Sequence, residues 1–303
     1  MANTLLTSSV IAKAALDNLY QNAVMANLVH RNYEPEFIPK IGTTVTVRKP
    51  TTFTAADFDR TTGISIQNAT ETSVAIVLNK HKDVSFAVTD EDLTLRVEDF
   101  NAQFIRPAME ALVQAIDQDI LTLKNDIVQE VGTNGSTPTG TVGTNSWDWT
   151  NPRCTIDADR VLNYRNVPQS ERFLVVGPTT KAKWLGDDLF SKANERGDTM
   201  GLRDASLGAK VYGFDPYMSQ NVTGGNSEIS VAFHRTAFAL VMRPLAIPMG
   251  AKEAAVESYK GFGIRVVKDY DVTYKRDVVS LDVLYGVKTL DANRAVLITA
   301  AAS

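Results

Sequence analysis

The feature that most constrains the fold is a polar segment, residues 50–72, between two stretches that alternate like β-strands. The first stretch, residues 43–48, reads Thr-Thr-Val-Thr-Val-Arg, and the second, residues 74–78, reads Val-Ala-Ile-Val-Leu. Both are rich in β-branched residues, which favour strands. Connections inside compact domains are usually about 4 to 6 residues long. This longer connection, with isolated apolar residues such as Ile64 and Ile66, predicts an extended hairpin that finds its contacts on another surface.

Helical patterns lie on both sides of this hairpin. Residues 8–30 place apolar side chains at helical spacing, which predicts an amphipathic helix. Residues 36–40 contain a second proline and predict an extended, irregular arm. After a third predicted strand at residues 83–88, the longest helical pattern covers residues 91–129. Pro107 falls within it and should kink or restart the helix.

The second half of the chain begins after a run of glycine, threonine and asparagine at residues 132–145, whose linker composition predicts a boundary between structural units. Beyond it the sequence predicts a layer of helices and strands, then strands that complete a sheet begun earlier. The predicted helices are residues 157–165 and 180–190. Residues 191–207 are predicted to form a polar surface loop. The predicted strands are residues 172–176, 229–233, 237–242, 263–267, 271–274, 278–285 and 295–298.

Composition excludes several classes of function. The formal net charge is -4 and the pI is about 5.5, so there is no basic surplus for strong general binding to phosphates. The single cysteine excludes an internal disulfide, and three histidines leave few ligands for a structural zinc site. The N-terminus lacks a secretory signal, and no apolar stretch approaches the roughly 20 residues of a membrane span. We expect a soluble protein made in the cytoplasm.

Three aspartates of the long helical pattern could serve acid-base chemistry or bind a metal: Asp117, Asp119 and Asp126. Residues two apart do not share a helix face, which weakens this interpretation. We favour a solvated or salt-bridged face. A metal-dependent hydrolase that uses these carboxylates remains an alternative.

Other polar residues have simple structural interpretations. Asp269, Asp271 and Asp277 are interleaved with basic residues, which indicates exposed strand faces. His81 lies between two lysines. It could contact an acidic patch on a partner, but a solvated strand edge is the preferred interpretation.

No nucleotide or nucleophile motif is complete. The run at residues 132–145 lacks the Gly-Lys-Ser/Thr ending of a phosphate loop. Gly177–Lys181 follows a predicted strand, where backbone amides could face an anion, but Thr179 or Thr180 as a helix N-cap is simpler. Cys154 would need an oriented base, and no histidine lies within about seventy residues of it. We predict no catalytic, cofactor-binding or metal-binding residues and no cofactor.

The order of elements, together with several short stretches, resembles one family. The stretches are Ile11–Leu16, Met25–Glu34, Gly42–Pro50, Pro107–Leu112 with Ile116 and Asp117, and Val211–Ser219. They are similar to the gene-5-like coat proteins, major capsid proteins of tailed bacteriophages with the Hong Kong 97-type fold. The resemblance spans nearly the whole chain, and its weight lies in the order of the stretches.

The resemblance implies an α+β Hong Kong 97-like capsid fold with five parts. These are an N-terminal arm (1–42), an extended β-hairpin loop that reaches across a neighbouring subunit (43–82), a peripheral domain with a long spine helix (83–149), an axial domain (150–240) and the return strands of the peripheral domain with the C-terminus (241–303).

It also implies a structural role without enzymatic activity. The protein would self-assemble, as hexamers and pentamers, into an icosahedral shell that encloses phage double-stranded DNA without sequence specificity. A separate scaffolding protein, a portal and a decoration protein are expected partners, and a membrane is not. The protein would be made in the bacterial cytoplasm and reside in the virion. An encapsulin-like nanocompartment shell is the alternative.

Overall fold

The protein is described by a computed structural model for residues 11–13, 15, 23–31, 44–49, 53, 55, 57–58, 60–61, 63–64, 66, 72–89, 104–137, 143–192, 204–208, 210–222, 224, 228–259 and 262–299. Helices and strands are mixed within these residues. The helices are α1 (Met25–Leu28), α2 (Arg106–Leu121), α3 (Cys154–Tyr164), α4 (Pro178–Leu185) and α5 (Asp188–Ser191). The strands are β1 (Thr44–Lys49), β2 (Thr72–Val77), β3 (Lys80–Thr89), β4 (Glu130–Val131), β5 (Arg172–Val176), β6 (Asp215–Met218), β7 (Ser230–His234), β8 (Phe238–Arg243), β9 (Glu253–Tyr259), β10 (Phe262–Asp271), β11 (Arg276–Thr289) and β12 (Ala295–Ile298).

The strands form three sheets. The first sheet is the predicted hairpin, in which β1 and β2 pair antiparallel from Thr44 opposite Val77 to Lys49 opposite Thr72. The second sheet has the order β3-β11-β10-β9, and the far end of the long strand β11 also pairs with β8. The third sheet has the order β4-β12-β7-β5-β6. The C-terminal strands therefore complete sheets that earlier segments begin, as predicted.

The long helix α2 packs its apolar face into the main core. Met109, Leu112 and Ile116 recur at helical spacing and are each at most 1% exposed. Their neighbours in this core come from the second sheet, from α1 and from one face of the third sheet. Pro107 lies in the first turn of α2, where its missing N–H breaks no helical hydrogen bond. The predicted kink or restart stays a prediction, because residues 91–103 lie outside the described residues.

The strands β5, β7 and β12 of the third sheet are buried on both faces. Val175, Val231 and Phe233 belong to the main core. The alternate residues Leu174 and Ala232 belong to a second core, which also holds α3, α4 and Trp184. Because side chains alternate across a strand, this sheet separates two apolar layers.

Three predicted elements differ from the structure because local hydrogen bonds stop them. The predicted helix 91–129 ends at Leu121 and is followed by a 3-10 turn, Thr122–Asp126. The hydroxyl of Thr122 donates to the carbonyl of Asp119 (2.6 Å) and competes with the helical pattern there. The predicted helix 180–190 is interrupted after Leu185, and α5 restarts with Asp187 as its cap. Residues 91–103 of the first prediction lie outside the described residues.

The predicted strand 271–274 holds only in its first residue, Asp271, where β10 ends, and the residues that follow form the turn between β10 and β11. A carboxylate oxygen of Asp271 accepts from the backbone N–H of Thr273 (3.0 Å), and Lys275 has a positive φ of 51°. A side chain that bonds the backbone two residues on favours a turn over a strand.

The predicted helix 8–30 is not continuous. Residues 11–13 and 15 are helical, but Ala23 and Val24 are not, and α1 begins only at Met25. The predicted extended arm at residues 36–40 lies outside the described residues.

Candidate functional site

The aspartates of the long helix do not converge on one site. Asp117 is 2% exposed, and its two carboxylate oxygens accept hydrogen bonds from the backbone N–H groups of Val24 (3.0 Å) and Ala26 (3.1 Å). Burial raises the pKa of Asp117, although the hydrogen bonds from the backbone oppose that rise. The predicted solvated or salt-bridged face is therefore wrong for Asp117, because this side chain points into the core against α1.

Asp119 lies on a different face of the same helix and contacts the second sheet. It forms an ion pair with Lys80 (2.7 Å) and accepts from the hydroxyl of Tyr285 (2.5 Å). Burial alone would raise the pKa of Asp119, but Lys80 and Tyr285 together hold it below its ordinary value. The salt-bridged interpretation is confirmed for this residue. Asp126 is separate again and accepts from the hydroxyl of Thr289 (2.6 Å).

His81 stands on an exposed strand edge but has an acidic partner within its own chain. Its Nε2 lies 3.1 Å from a carboxylate oxygen of Asp282, and its side chain is 50% exposed. Asp282 is buried and also accepts from Nε of Arg265 (3.0 Å) and from a second nitrogen of that guanidinium. The predicted solvated edge is thus confirmed, with an added contact to Asp282.

The strand-to-helix junction at Gly177 holds an anion, and that anion is a side chain of the same chain. Glu228 accepts hydrogen bonds from the backbone N–H groups of Thr179 (2.9 Å) and Thr180 (2.8 Å) and from the Thr180 hydroxyl (3.0 Å). The N-cap is Gly177, so the prediction that Thr179 or Thr180 caps the helix is wrong. A Cβ on Gly177 would lie 2.4 Å from Oε2 of Glu228, so a larger residue here would displace this carboxylate.

Opposing effects set the pKa of Glu228. Burial raises it, but the hydrogen bonds from Thr180 and Thr179 outweigh burial, and the pKa stays below its ordinary value. The carboxylate form is therefore the one that this junction binds.

The remaining candidates offer no reactive group. Cys154 is fully buried, and burial raises the pKa of its thiol, so the thiolate that a nucleophile requires is disfavoured. Asp271 pairs with Arg276 (3.4 Å) and Asp277 pairs with Lys268 (3.5 Å) across the β10–β11 turn region. Within the described ranges, no group of three acidic, histidine or cysteine side chains could hold a metal ion. The described contacts of Asp117, Asp119 and Asp126 do not support the alternative of a metal-dependent hydrolase.

Large apolar side chains in the described part of the segment between β1 and β2 are exposed. Phe53, Phe58, Ile64 and Ile66 are 64%, 67%, 76% and 84% exposed. Hydrophobic residues exposed so close together in a segment usually mark a surface that another molecule covers. The predicted need of this segment for an outside partner agrees with this exposure.

The root of the hairpin is tightly fixed to the subunit. Ile76 and Leu78 pack with Ala239 and Val241 of β8 in a small third core. Gly286 of β11 lies directly under the chain as it leaves β2, and a Cβ there would lie 2.3 Å from the carbonyl oxygen of Val77. The β1–β2 pair is therefore held against β8 and β11 at its base, while apolar residues between the two strands are exposed.

The sequence analysis did not identify the residues that make these long-range contacts, which are Glu228, Asp282 and Gly286. No local motif marks them. Apart from Arg265, which contacts Asp282, their partners lie 48 residues or more away in sequence. The one available signal was Gly177 at a strand-to-helix junction, which indicated an anion without indicating its source.

In the part of the chain that the structure describes, no helix is long and apolar enough to span a bilayer.

Comparison with known proteins gives a consistent set of relatives. A family model described as phage capsid protein matches residues 71–296. A solved structure from Mycobacterium phage Che8 is 23% identical, with 91% of this chain and 90% of that chain covered and a TM-score of 0.67. The capsid of the Cyanophage P-SCSP1u is 12% identical, with 87% and 85% covered and a TM-score of 0.61.

A virus-like particle from Pyrococcus furiosus is also similar, at 13% identity, with 95% of this chain and 97% of that chain covered and a TM-score of 0.51. No curated protein matches the sequence. At these identities the solved structures show a shared fold.

Proposed function

The chain belongs to the phage capsid protein family, and from that premise we propose how its parts build a shell. It is a structural major capsid protein that resides in the virion capsid, and its copies assemble into a shell. The nanocompartment alternative is not favoured, because both the family model and the two phage structures match this chain.

The proposed shell is icosahedral, is built of hexamers and pentamers, and encloses double-stranded DNA. In a Hong Kong 97-like arrangement, residues 1–42 form the arm and residues 43–82 form the extended loop that crosses a neighbouring subunit. Residues 83–149 form the peripheral domain, in which α2 is the spine helix. Residues 150–240 form the axial domain, and residues 241–303 return to the peripheral domain.

The exposure of the hairpin is the observation that carries this proposal. Isolated subunits rarely expose several large apolar side chains on one projecting element unless an assembly covers them. The fixed root supports the same conclusion, since Gly286 and the small third core hold the hairpin in one direction. Because the protein assembles with copies of itself, we propose that a neighbouring copy covers the exposed apolar side chains of the hairpin.

The other proposed partners follow from the family and from charge. A separate scaffolding protein, a portal and a decoration protein would act during shell assembly in the bacterial cytoplasm. The net charge of -4 supports weak, local contacts with packaged DNA, because strong affinity for phosphates needs basic groups that release counterions. The role is structural, and we propose no catalytic residue and no cofactor.

The test is a double variant of the hairpin, Ile64→Ser with Ile66→Ser. We expect the subunit to fold with a nearly unchanged unfolding temperature, because both side chains are already exposed, but to form few closed shells. Size-exclusion chromatography and negative-stain electron microscopy would measure assembly. Val128→Ser is the matched control, since Val128 is 61% exposed and lies beyond the long helix. Wild-type shells from the double variant would contradict the role of the hairpin.

A further inference from the structure

A polar cleft, called here the arginine cleft, lies where the end of α3 meets the turn that precedes β12. Its volume is about 290 Å³, and the described residues that line it are Arg165, Asn166, Val167, Asp291, Asn293 and Arg294. Among these residues, two guanidinium groups and two side-chain amides share one space with a single carboxylate. Sites for drug-sized ligands measure about 300 to 1,000 Å³, so this cleft suits one small group.

Amide oxygens hold Arg165 in place. One of its terminal nitrogens donates to the side-chain oxygen of Asn293. In the amide orientation that satisfies both of its polar atoms, the buried Gln129 accepts from both terminal nitrogens of Arg165 (3.1 and 3.0 Å). The same amide donates to the carbonyls of Ala292 and Ala295 (3.0 and 3.1 Å). Because amide oxygens carry no net charge, these contacts orient the guanidinium group without neutralising it.

Arg294 is also oriented, and it remains accessible. Its Nε lies 3.3 Å from a carboxylate oxygen of Asp291, and a terminal nitrogen donates to the hydroxyl of Thr236 (2.6 Å). The side chain of Arg294 is 37% exposed. Guanidinium groups that are already held in place lose little conformational freedom when an anion binds, so less affinity is lost to ordering.

A neighbouring histidine indicates the charge of this region. Nδ1 of His234 lies 2.8 Å from the same Thr236 hydroxyl that Arg294 contacts. Burial lowers the pKa of His234 most, and the charge of Arg294 lowers it next; one nearby carboxylate opposes this effect and two further arginines add to it. Surroundings that disfavour a protonated histidine favour a bound anion.

We propose that the arginine cleft binds a carboxylate side chain of a second copy of this chain. The inference rests on the proposed function, in which copies meet in a shell. The chain carries 35 aspartates and glutamates against 31 lysines and arginines, so its copies repel one another at long range. A cationic cleft that receives a carboxylate opposes this repulsion where two copies touch. Arginine suits that role because its planar group can donate two parallel hydrogen bonds to one carboxylate.

A phosphate of packaged DNA has related chemistry, but two features favour the carboxylate. Asp291 lines the cleft and would repel a polyanion. Strong binding to DNA also needs many basic groups that release counterions, whereas the described lining of the cleft contains two.

The first measurement uses the wild-type chain. Phenylglyoxal, which modifies accessible arginines, is applied to isolated subunits, to empty shells and to DNA-filled shells, and mass spectrometry follows the peptides that contain Arg165 and Arg294. We expect both arginines to react about tenfold more slowly in empty shells than in subunits, because a carboxylate covers them. Equal rates in subunits and empty shells would overturn the proposal, and so would protection that appears only in DNA-filled shells.

The second measurement identifies the chemistry of the occupant. Arg165→Lys keeps the charge and places a primary amine in the cleft, which a carbodiimide couples to a carboxylate in direct contact. Shells are assembled from a mixture of ordinary and ¹⁵N-labelled copies. We expect a crosslink from position 165 to an aspartate or glutamate in peptide pairs of mixed label. Crosslinks confined to one copy, or closed shells with no crosslink at this position, would contradict a carboxylate from a second copy.

The third measurement is assembly of Arg165→Gln, read by sedimentation and electron microscopy. We expect the protein concentration at which closed shells form to rise about tenfold. Arg106→Gln is the matched control, because it makes the same change at an exposed arginine at the start of α2. An arginine at the end of a helix also stabilises the helix dipole, so the unfolding temperature is measured alongside. A lower unfolding temperature with unchanged assembly would assign Arg165 a structural role and overturn the proposal.

Failure of the inference and failure of the proposed function give different results. Closed wild-type shells with unprotected arginines would remove the inference alone. A wild-type chain that forms no shells under any condition would remove the proposed function, and the inference with it.

Discussion

The hairpin and the third sheet place similar residues in opposite environments. In the third sheet, β5, β7 and β12 bury apolar side chains on both faces between two cores of the same subunit. The hairpin leaves Ile64 and Ile66 76% and 84% exposed. The third sheet is completed within one chain, whereas our proposal has a neighbouring subunit complete the hairpin. Substitutions beside the third sheet should therefore lower the stability of the subunit, whereas substitutions in the hairpin should impair assembly.

The largest expected loss of stability comes from a substitution in the second core, which packs against the third sheet. Trp184 is fully buried in the second core, and its indole N–H donates to the carbonyl of Trp149 (2.8 Å). Trp184→Ala should lower the free energy of unfolding by about 3 to 5 kcal/mol, because it leaves a cavity and an unpaired carbonyl. Urea unfolding followed by fluorescence or circular dichroism would measure it.

The matched control for Trp184 is Phe58→Ala in the hairpin segment. Phe58 is 67% exposed, so its truncation should change the free energy of unfolding by less than about 0.5 kcal/mol. Equal losses from the two truncations would show that the hairpin belongs to the subunit core after all.

An intermediate effect is expected where the hairpin joins the subunit. Gly286→Ala would place a Cβ about 2.3 Å from the carbonyl oxygen of Val77, so the two backbones must separate. We expect a loss of about 1 to 3 kcal/mol in the free energy of unfolding and a larger loss of closed shells, since the direction of the hairpin changes. Gly250→Ala is the control, because no atom lies within 4 Å of its added Cβ. Equal effects at both glycines would argue against a fixed root.

The smallest effect is a pH dependence with opposite signs at two buried carboxylates. The pKa of Glu228 is lowered in the folded state, so its stabilisation is present above its unfolded value of 4.5 and is lost as pH falls through the folded value. The pKa of Asp117 is raised by burial. Its ionisation therefore reduces stability as pH rises from 3.8 through its folded value.

Urea unfolding at a series of pH values, from about 3 to 7, would separate the two carboxylates. Glu228→Gln should lose about 1 to 2 kcal/mol near neutral pH and flatten the loss of stability in acid. Asp117→Asn should remove the loss of stability that ionisation of Asp117 causes as pH rises. If both variants changed the pH dependence of stability in the same direction, the assigned pKa shifts would be wrong.

Period and composition were sufficient to predict many elements. Alternation predicted the paired strands β1 and β2, and helical spacing predicted the buried face of α2. The strand Ala295–Ile298 was predicted with its observed bounds. These elements are predictable because a helix or a strand repeats the same geometry along the chain. Residues at a fixed spacing therefore share one face, and the spacing of apolar residues shows which face is buried.

Element ends and buried polar contacts were less predictable. Thr122 shortens the long helix through a hydrogen bond to Asp119, and Asp271 turns a strand-like stretch into a turn. The family resemblance was available from short stretches and their order, and the match over residues 71–296 confirms it. That resemblance could not show what any single carboxylate contacts.

The sequence by itself determined which segments are apolar on one face, where the polar hairpin segment lies and which family the chain joins. Only the tertiary structure decided that Asp117 faces α1, that Asp119 faces Lys80 and Tyr285, and that Glu228 fills the anion site at Gly177. The physical reason is distance along the chain. A buried carboxylate is stable only beside donors that folding brings to it, and those donors lie tens of residues away in sequence.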